Sequence, residues 1–413
     1  MIQELYDYLA NHYFYLNEGE FRHCTEKYGK EEFRWTIAEY VANERPPFPF
    51  REMEYSDMVD NFRKLQKVDY TKFITPKEQL DNEVIEKYDD YKYEFQTCGQ
   101  GLIDTPSTYN SCSDYFMNHL RLACGAYSYM APAQVWEQGT AKQIWSSIGG
   151  LWRGVNSTKD LSEKSVMEVL RLGTYIATQF KPIVAKTIYN MTDAKTVLDT
   201  SMGWGDRLAG FYASNATHYI GCDPNPYTFD VYSQMIGEFN KLAPGKTTQI
   251  YRCGAEDLPW DSIENVDCAF TSPPYFATEM YNKGGQFEED QSWSKFNEYE
   301  RWRDEFYLPV ALNSFNSLSE NGFLMTNIMD PKIKGKRYRS CDELVDSLQP
   351  HFLGQIGMRI MQRPQGKNKF KTKEELVKFM NKLYIENVWC FGKNKVFDLF
   401  RHKRRATLEG LFG

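Results

Sequence analysis

Apolar residues recur with two different periods along this chain, and the change of period divides it. Between about residues 195 and 330, short apolar runs alternate with longer stretches of helical spacing: "KTVLDT", "RLAGFYASN", "THYIGCD", "YTFDVYSQMIGEFNKLA", "TTQIYRCG", "NVDCAFTS", "DEFYLPVALNSFNSLSE" and "GFLMTNIM". That alternation predicts a mainly parallel sheet with helices on both faces. Two more helices precede it, "SEKSVMEVLRLGTYIATQF" and "KPIVAKTIYNMT", the second opened by Pro182 in its first turn. The runs "GQIGMRIMQ" and "YIENVWCFGK" read as closing strands. Residues 1–150 look different. Helix-like stretches ("EEFRWTIAEYVANE", "DYFMNHLRLACGAYSYM") are broken by "RPPFPF" and by "TCGQGLIDTPSTYNSCS", which predicts a helical region with irregular loops. The expected division is a mainly helical N-terminal domain over 1–155, an α/β domain over 156–395 and a basic C-terminal tail over 396–413.

Composition narrows the class. With 42% hydrophobic and 25% charged residues the chain is of ordinary globular type, and its aromatic content of 15% supports a large core. No apolar run is long enough for a membrane span, and "MIQELYDYLANHYF" has no signal-peptide pattern, so an intracellular, cytoplasmic protein is expected, with no membrane partner. Nine cysteines without a C-x-x-C pair read as reduced thiols rather than a disulfide framework or a zinc site, and no metal is expected. The net charge of −7 is unevenly spread. Residues 1–150 carry about 15 basic and about 24 acidic side chains, whereas 331–413 carry about 19 and about 8. A polyanion would therefore be held on one side only.

Three successive strand ends carry candidate chemistry. "VLDTSMGWGDRLAG" places Asp199 at a strand end, followed by Thr200, Gly203 and Gly205 before a helix; such glycines let the backbone approach a ligand. "HYIGCDPNP" ends in Asp223, where a carboxylate suits the two hydroxyls of a ribose. "RCGAEDLPW" ends in Glu256 and Asp257, which suit an adenine edge. Together they imply a nucleoside-containing cofactor. The third glycine of a dinucleotide fingerprint is missing, since Leu208 stands there. S-adenosylmethionine (SAM), which has no pyrophosphate, fits better than NAD.

The fourth strand end reads "FTSPPYF". Ser272-Pro273-Pro274-Tyr275, together with Asp199-Thr200-Ser201-Met202-Gly203-Trp204-Gly205, "QFKP" at 179–182 and "IENVWCFGK" near the end, resembles the SAM-dependent DNA amino-methyltransferases. These methylate N4 of cytosine or N6 of adenine and carry (D/N/S)-P-P-(Y/F/W) after the fourth strand. The resemblance covers about residues 165–395. It implies a Rossmann-like class I methyltransferase sheet, SAM as cofactor without a metal, DNA as partner, base flipping and a place in DNA methylation or restriction-modification. Ser272, Pro273, Pro274 and Tyr275 become the catalytic residues, with Phe180, Asp199, Thr200, Gly203, Gly205, Asp223, Glu256 and Asp257 around the cofactor. Ser272 favours N4 of cytosine, with N6 of adenine next.

Departures from the family pattern are specific. Thr200-Ser201 replaces the usual Pro-Phe, Gly254 stands where an acid is expected, and the cofactor half precedes the catalytic half although the motif has its serine form. No Pro-Cys pair exists, which disfavours a C5-cytosine enzyme with its cysteine nucleophile. Two other readings stay open: methylation of an RNA base or a protein glutamine, as in release-factor methylases with their related N-P-P-Y turn, and a catalytically silent binding protein on the same scaffold.

Basic, aromatic-interrupted loops at "PKIKGKRYRS" and "RPQGKNKFKTK" nominate Lys334, Lys336, Arg337, Arg339, Arg363, Lys367 and Lys369 for DNA phosphates. "YNKGGQFEEDQSWS" reads as a hinged lid. The tail ending "RHKRRATLEGLFG" reads as a fraying terminus; the alternative is a docking peptide, similar to those that bind replication sliding clamps, with Leu408, Leu411 and Phe412 as its apolar tip.

Overall fold

Strands buried on both faces lose their polar alternation and become continuous apolar runs, and such runs build the centre of this fold. The computed structural model describes residues 2–80, 90–281, 283–360, 372–375, 384–394 and 398–403. Its strands are β1 (Ile74–Pro76), β2 (Gly99–Ile103), β3 (Thr196–Asp199), β4 (His218–Cys222), β5 (Thr247–Tyr251), β6 (Val266–Thr271), β7 (Leu318–Asn327), β8 (Lys332–Ile333), β9 (Lys336–Arg337), β10 (Phe352–Ile360) and β11 (Tyr384–Gly392). Nine of them form one sheet in the order β1-β2-β10-β11-β7-β6-β3-β4-β5; β8 and β9 form a separate hairpin.

From β5 to β7 every pairing is parallel, and β11 runs antiparallel to both β7 and β10. Parallel neighbours require long crossovers, and here helices supply them: Asp206–Ala213 between β3 and β4, Pro226–Leu242 between β4 and β5. This is the Rossmann-like, class I methyltransferase arrangement expected above, extended at one edge by β2 and β1. One face of the sheet buries Leu198, Ile220, Ala269, Leu324, Trp389 and Phe391 in a core shared with Trp302, Phe306 and Leu344.

Two compact units share the chain. One comprises Met1–Glu54, Met117–Thr178 and Met280–Glu288; the other comprises Tyr55–Phe116, Gln179–Glu279 and Glu289–Gly413. The first is mainly helical, around Phe33, Ile37, Trp136, Ile144, Leu151 and Leu170. Its second helix, Glu18–Tyr28, starts at a capping box in which Asn17 Oδ1 accepts from Glu20 N and Glu20 Oε2 accepts from Asn17 N. Residues 280–288 join this unit through Tyr127 N, which donates to Met280 O at 3.0 Å.

The division differs from the expected boundary at 155 in three ways. Residues 55–116 belong with the sheet, and "CGQGLI", read as loop, contains β2, which pairs with β10. The helix opened at Ser162 stops at Gly173 instead of running to 180, and its residues lie in the helical unit. Of the expected tail over 396–413, residues 398–403 are described, and Leu399 and Phe400 among them are fully buried. A side chain at Gly101 would strike the Phe400 ring, so β2 must carry glycine there.

One buried cation ties the added segment down. The helix Tyr55–Lys67 leaves its last carbonyls without intrahelical donors. Lys186 Nζ donates to Leu65 O at 2.6 Å, Gln66 O at 2.9 Å and Val68 O at 2.8 Å. Lys186→Met keeps the apolar stem and removes all three donors. Its expected cost is about 2–3 kcal/mol, read as a lower urea midpoint at unchanged slope.

Candidate active site

At the carboxyl end of β3, Asp199 is fully buried. Its Oδ2 accepts from Arg207 Nε at 2.9 Å and from Tyr219 OH at 2.7 Å, and its Oδ1 accepts from Ser201 N at 3.2 Å. Arg207 also donates to Ser201 O, and its guanidinium lies over the Phe180 ring at 5.3 Å. Asp199 therefore braces the loop from inside, and Phe180 is joined to it through Arg207. Arg207 and Tyr219 escaped the sequence reading because neither belongs to a motif. Thr200 is buried beside them, and its Oγ1 has no hydrogen bond among the described residues.

Gly203 and Gly205 have φ of +56° and +73°, a region that a side chain adopts only with strain. A Cβ at Gly203 would meet only Ser201 O, at 3.8 Å, so the loop is open there for a ligand to approach the backbone. Asp223, just past β4, lies within reach of four protein donors, two backbone amides and two hydroxyls whose single protons also face the carbonyls of Gly203 and Asn225. Gly203 N (2.9 Å) and Tyr232 OH (3.2 Å) reach Oδ2, while Asn225 N (3.0 Å) and Thr228 Oγ1 (3.2 Å) reach Oδ1. Burial pushes the Asp223 carboxyl up, and these donors act against that shift. A carboxylate offers about four acceptor positions. A ribose diol would therefore have to displace the two longer contacts, those of Tyr232 and Thr228.

Beyond β5, Glu256 and Asp257 share one cation. Lys295 Nζ lies 2.9 Å from Glu256 Oε1 and 3.7 Å from Asp257 Oδ2. Lys295 was not anticipated; it follows the catalytic motif by twenty residues and has no local signal.

The Ser272 turn leaves β6, the immediate parallel neighbour of β3, with Val197 opposite Cys268 and Leu198 opposite Ala269. The glycine loop and the proline turn thus emerge side by side at the carboxyl ends of two central strands, where ligands of such folds bind. Pro273 is buried; Ser272, Pro274 and Tyr275 are half-buried. Tyr275 OH donates to Glu386 Oε1 at 2.8 Å and lies 3.4 Å from Asn327 O. Phe276 packs against Tyr299 and Tyr338, with ring centroids 5.5 and 5.4 Å away.

The basic residues separate into two kinds. Lys334 and Lys336 are exposed on the β8–β9 hairpin, the Lys336 ammonium 4.5 Å from the Tyr338 ring centroid. Arg337, expected on phosphates, instead pairs with buried Asp330 at 2.7 Å and stacks over Tyr91 at 4.8 Å. Alternation in a strand turns it inward. Arg339 pairs with Asp342 at 3.0 Å and donates to Asp90 O. Arg363, Lys367 and Lys369 lie outside the described residues, as do Leu408, Leu411 and Phe412. Of the expected lid, Tyr281 and residues 283–288 belong to the helical unit. Among the described residues, no cluster of His, Cys, Asp or Glu is placed to hold a metal, and no helix is long and apolar enough to cross a membrane.

No protein-family model matches the chain, and no curated protein sequence does. Solved structures similar to it include an rRNA methylase from Streptococcus thermophilus, at 14% identity and a TM-score of 0.31, over 53% of this chain and 100% of that one. Precorrin-6y C5,15-methyltransferase from Geobacter metallireducens shows 11% identity and a TM-score of 0.29, over 51% and 85%. The N-terminal domain of EvdMO1 with S-adenosylhomocysteine (SAH) bound shows 8% and 0.31, over 52% and 82%. The fold class rests on the strand order and pairing, not on these likenesses.

Proposed function

We propose that this chain is a SAM-dependent methyltransferase acting on the exocyclic amine of a base extruded from DNA, N4 of cytosine ahead of N6 of adenine. The observation that carries the reading is the adjacency of the Gly203/Gly205 loop and the Ser272–Tyr275 turn on neighbouring parallel strands. The open backbone at Gly203 leaves room for a cofactor to approach the loop closely. Gly203, Gly205, Thr200 and Phe180 would line its seat, Asp199 would brace it, and Asp223, Glu256 and Asp257 would face its ribose and adenine. SAM, when bound, supplies a methyl group on a sulfonium.

The rest of the chemistry falls to the turn. An exocyclic amine is a poor nucleophile because its lone pair is delocalised into the ring. The Ser272 hydroxyl and the Pro273 carbonyl would accept its two N–H groups and draw the nitrogen towards tetrahedral geometry. Each proline fixes its own φ and restricts the residue before it, so the carbonyl keeps one direction. The Tyr275 ring offers a face for stacking, which helps offset the few kcal/mol needed to extrude a base. Positioning, rather than a strong base, accounts for most of the rate.

Incubating the purified chain with methyl-labelled SAM and, separately, plasmid DNA, total RNA and a protein extract tests this reading. Label in DNA supports it. Label only in RNA or protein transfers the mechanism to another amine or amide, and no label together with no SAH binding points to a silent scaffold. A second expected result concerns the hairpin. If Lys334 and Lys336 each neutralise one DNA phosphate, Lys334→Gln with Lys336→Gln reduces the slope of log K against log salt by about 1.8. Binding isotherms across a salt series measure it.

A further inference from the structure

Behind the proline turn lies a partly buried polar cluster that ties Tyr275 to β7 and β11. Glu386 sits on β11 among Ile385, Val388, Trp389, Cys390 and Phe391, all buried. A carboxylate there is out of keeping with its strand. Its Oε1 accepts from Tyr275 OH at 2.8 Å. The same phenol reaches towards the carbonyl of Asn327, the last residue of β7, at 3.4 Å, and Asn327 Nδ2 donates to Asn387 O at 3.1 Å. Two neighbouring strands of the sheet thus grip the far end of the Tyr275 side chain.

We infer that Glu386 is a positioning residue: it tethers the Tyr275 hydroxyl so that the ring presents one fixed face to a planar substrate. The inference rests on the reading of Tyr275 as the stacking platform. A hydrogen bond at the distal oxygen of a tyrosine fixes where the ring lies through χ1; that oxygen sits on the χ2 axis, so the tilt of the ring is restrained only through the preference of the O–H bond for the ring plane. Burial pushes the Glu386 carboxyl up, while the bonds from Tyr275 and Asn327 act against it. Burial likewise pushes the Tyr275 phenol up, and the facing carboxylate adds to the shift. The phenol therefore keeps its proton and donates it, and no proton transfer is implied. Substrate would touch the ring and not Glu386, which acts only through Tyr275.

The test compares Glu386→Leu, Glu386→Gln, Tyr275→Phe and the double variant Glu386→Leu/Tyr275→Phe. Initial rates of methyl transfer to plasmid DNA are read beside SAH calorimetry and urea unfolding. Glu386→Leu is expected to lower kcat about 100-fold, because a ring out of place misaligns the amine, with SAH affinity unchanged. Tyr275→Phe is expected to lose the same factor, and the double variant to lose no more than either single one, since both cut one tether. Glu386→Gln keeps an acceptor oxygen and restores most of the rate. The inference is overturned if Glu386→Leu turns over like the wild type, if the two losses multiply, or if the rate falls only in step with SAH affinity and stability. A wild type inactive on DNA, RNA and protein alike overturns the methyltransferase reading and this role with it; one active only on RNA or protein moves the same comparison to that substrate. An active wild type with an indifferent Glu386 overturns this role alone.

Discussion

Ser272→Ala is expected to lower kcat by about 10²–10³-fold while leaving SAH affinity unchanged. As the methyl group moves, positive charge develops on the amine nitrogen and its N–H bonds become stronger donors. An acceptor aimed at those hydrogens stabilises the transition state more than the ground state, and removing one preorganised partner of this kind typically costs that factor. The cofactor half is carried by other strand ends, so its affinity is independent of Ser272. Tyr275→Ala should behave differently. Loss of a stacking face is worth about 1–3 kcal/mol per base and falls first on the binding of nucleic acid, raising KM. The freed Glu386 adds disorder to the turn and lowers kcat as well. Steady-state rates with varied DNA, beside SAH titrations, separate the two patterns. Equal loss of SAH affinity in both variants would mean that the turn supports the fold rather than the chemistry.

The second large effect is on stability. Arg207→Met should destabilise the sheet unit by about 3–5 kcal/mol, because it leaves the fully buried Asp199 carboxylate without its cation. Tyr219 and the Ser201 amide still donate to Asp199, but neither carries charge. That loss is a large part of the 5–15 kcal/mol that holds a typical domain together. Adding Asp199→Leu should recover much of it, since an apolar pair replaces an unpaired charge. Urea unfolding of the single and double variants measures both. A single variant as stable as wild type would show that water reaches Asp199.

Both halves of the candidate site were legible in the sequence because their signals are local. A strand end followed by Gly203 and Gly205, and a serine before two prolines, announce themselves within a few residues. The parallel sheet was legible for the same reason: β3, β4, β6 and β7 are apolar runs, and helical spacing separates most of them. What escaped depends on distant pairing. β1 and β2 are short, lie at the sheet edge and sit within a Tyr-rich stretch, so no period marks them. The overlong helix from Ser162 failed at Gly173, where apolar spacing continues but the backbone turns extended at Thr174. Arg337 looked like its exposed neighbours until Asp330 and Tyr91 claimed it. Tyr275 and Glu386 are 111 residues apart, and nothing in the spacing between them predicts a bond. Asp223 was read as a free ribose acceptor because hydrogen-bond saturation is a property of the folded loop, not of the residue.

Mass spectrometry of nucleosides from the DNA of cells expressing this chain, beside cells expressing Ser272→Ala, is the most direct measurement. N4-methylcytosine, or failing that N6-methyladenine, is expected above background in the first sample and absent from the second. Unmodified DNA in both samples, from cells that contain folded, SAH-binding protein, would contradict it.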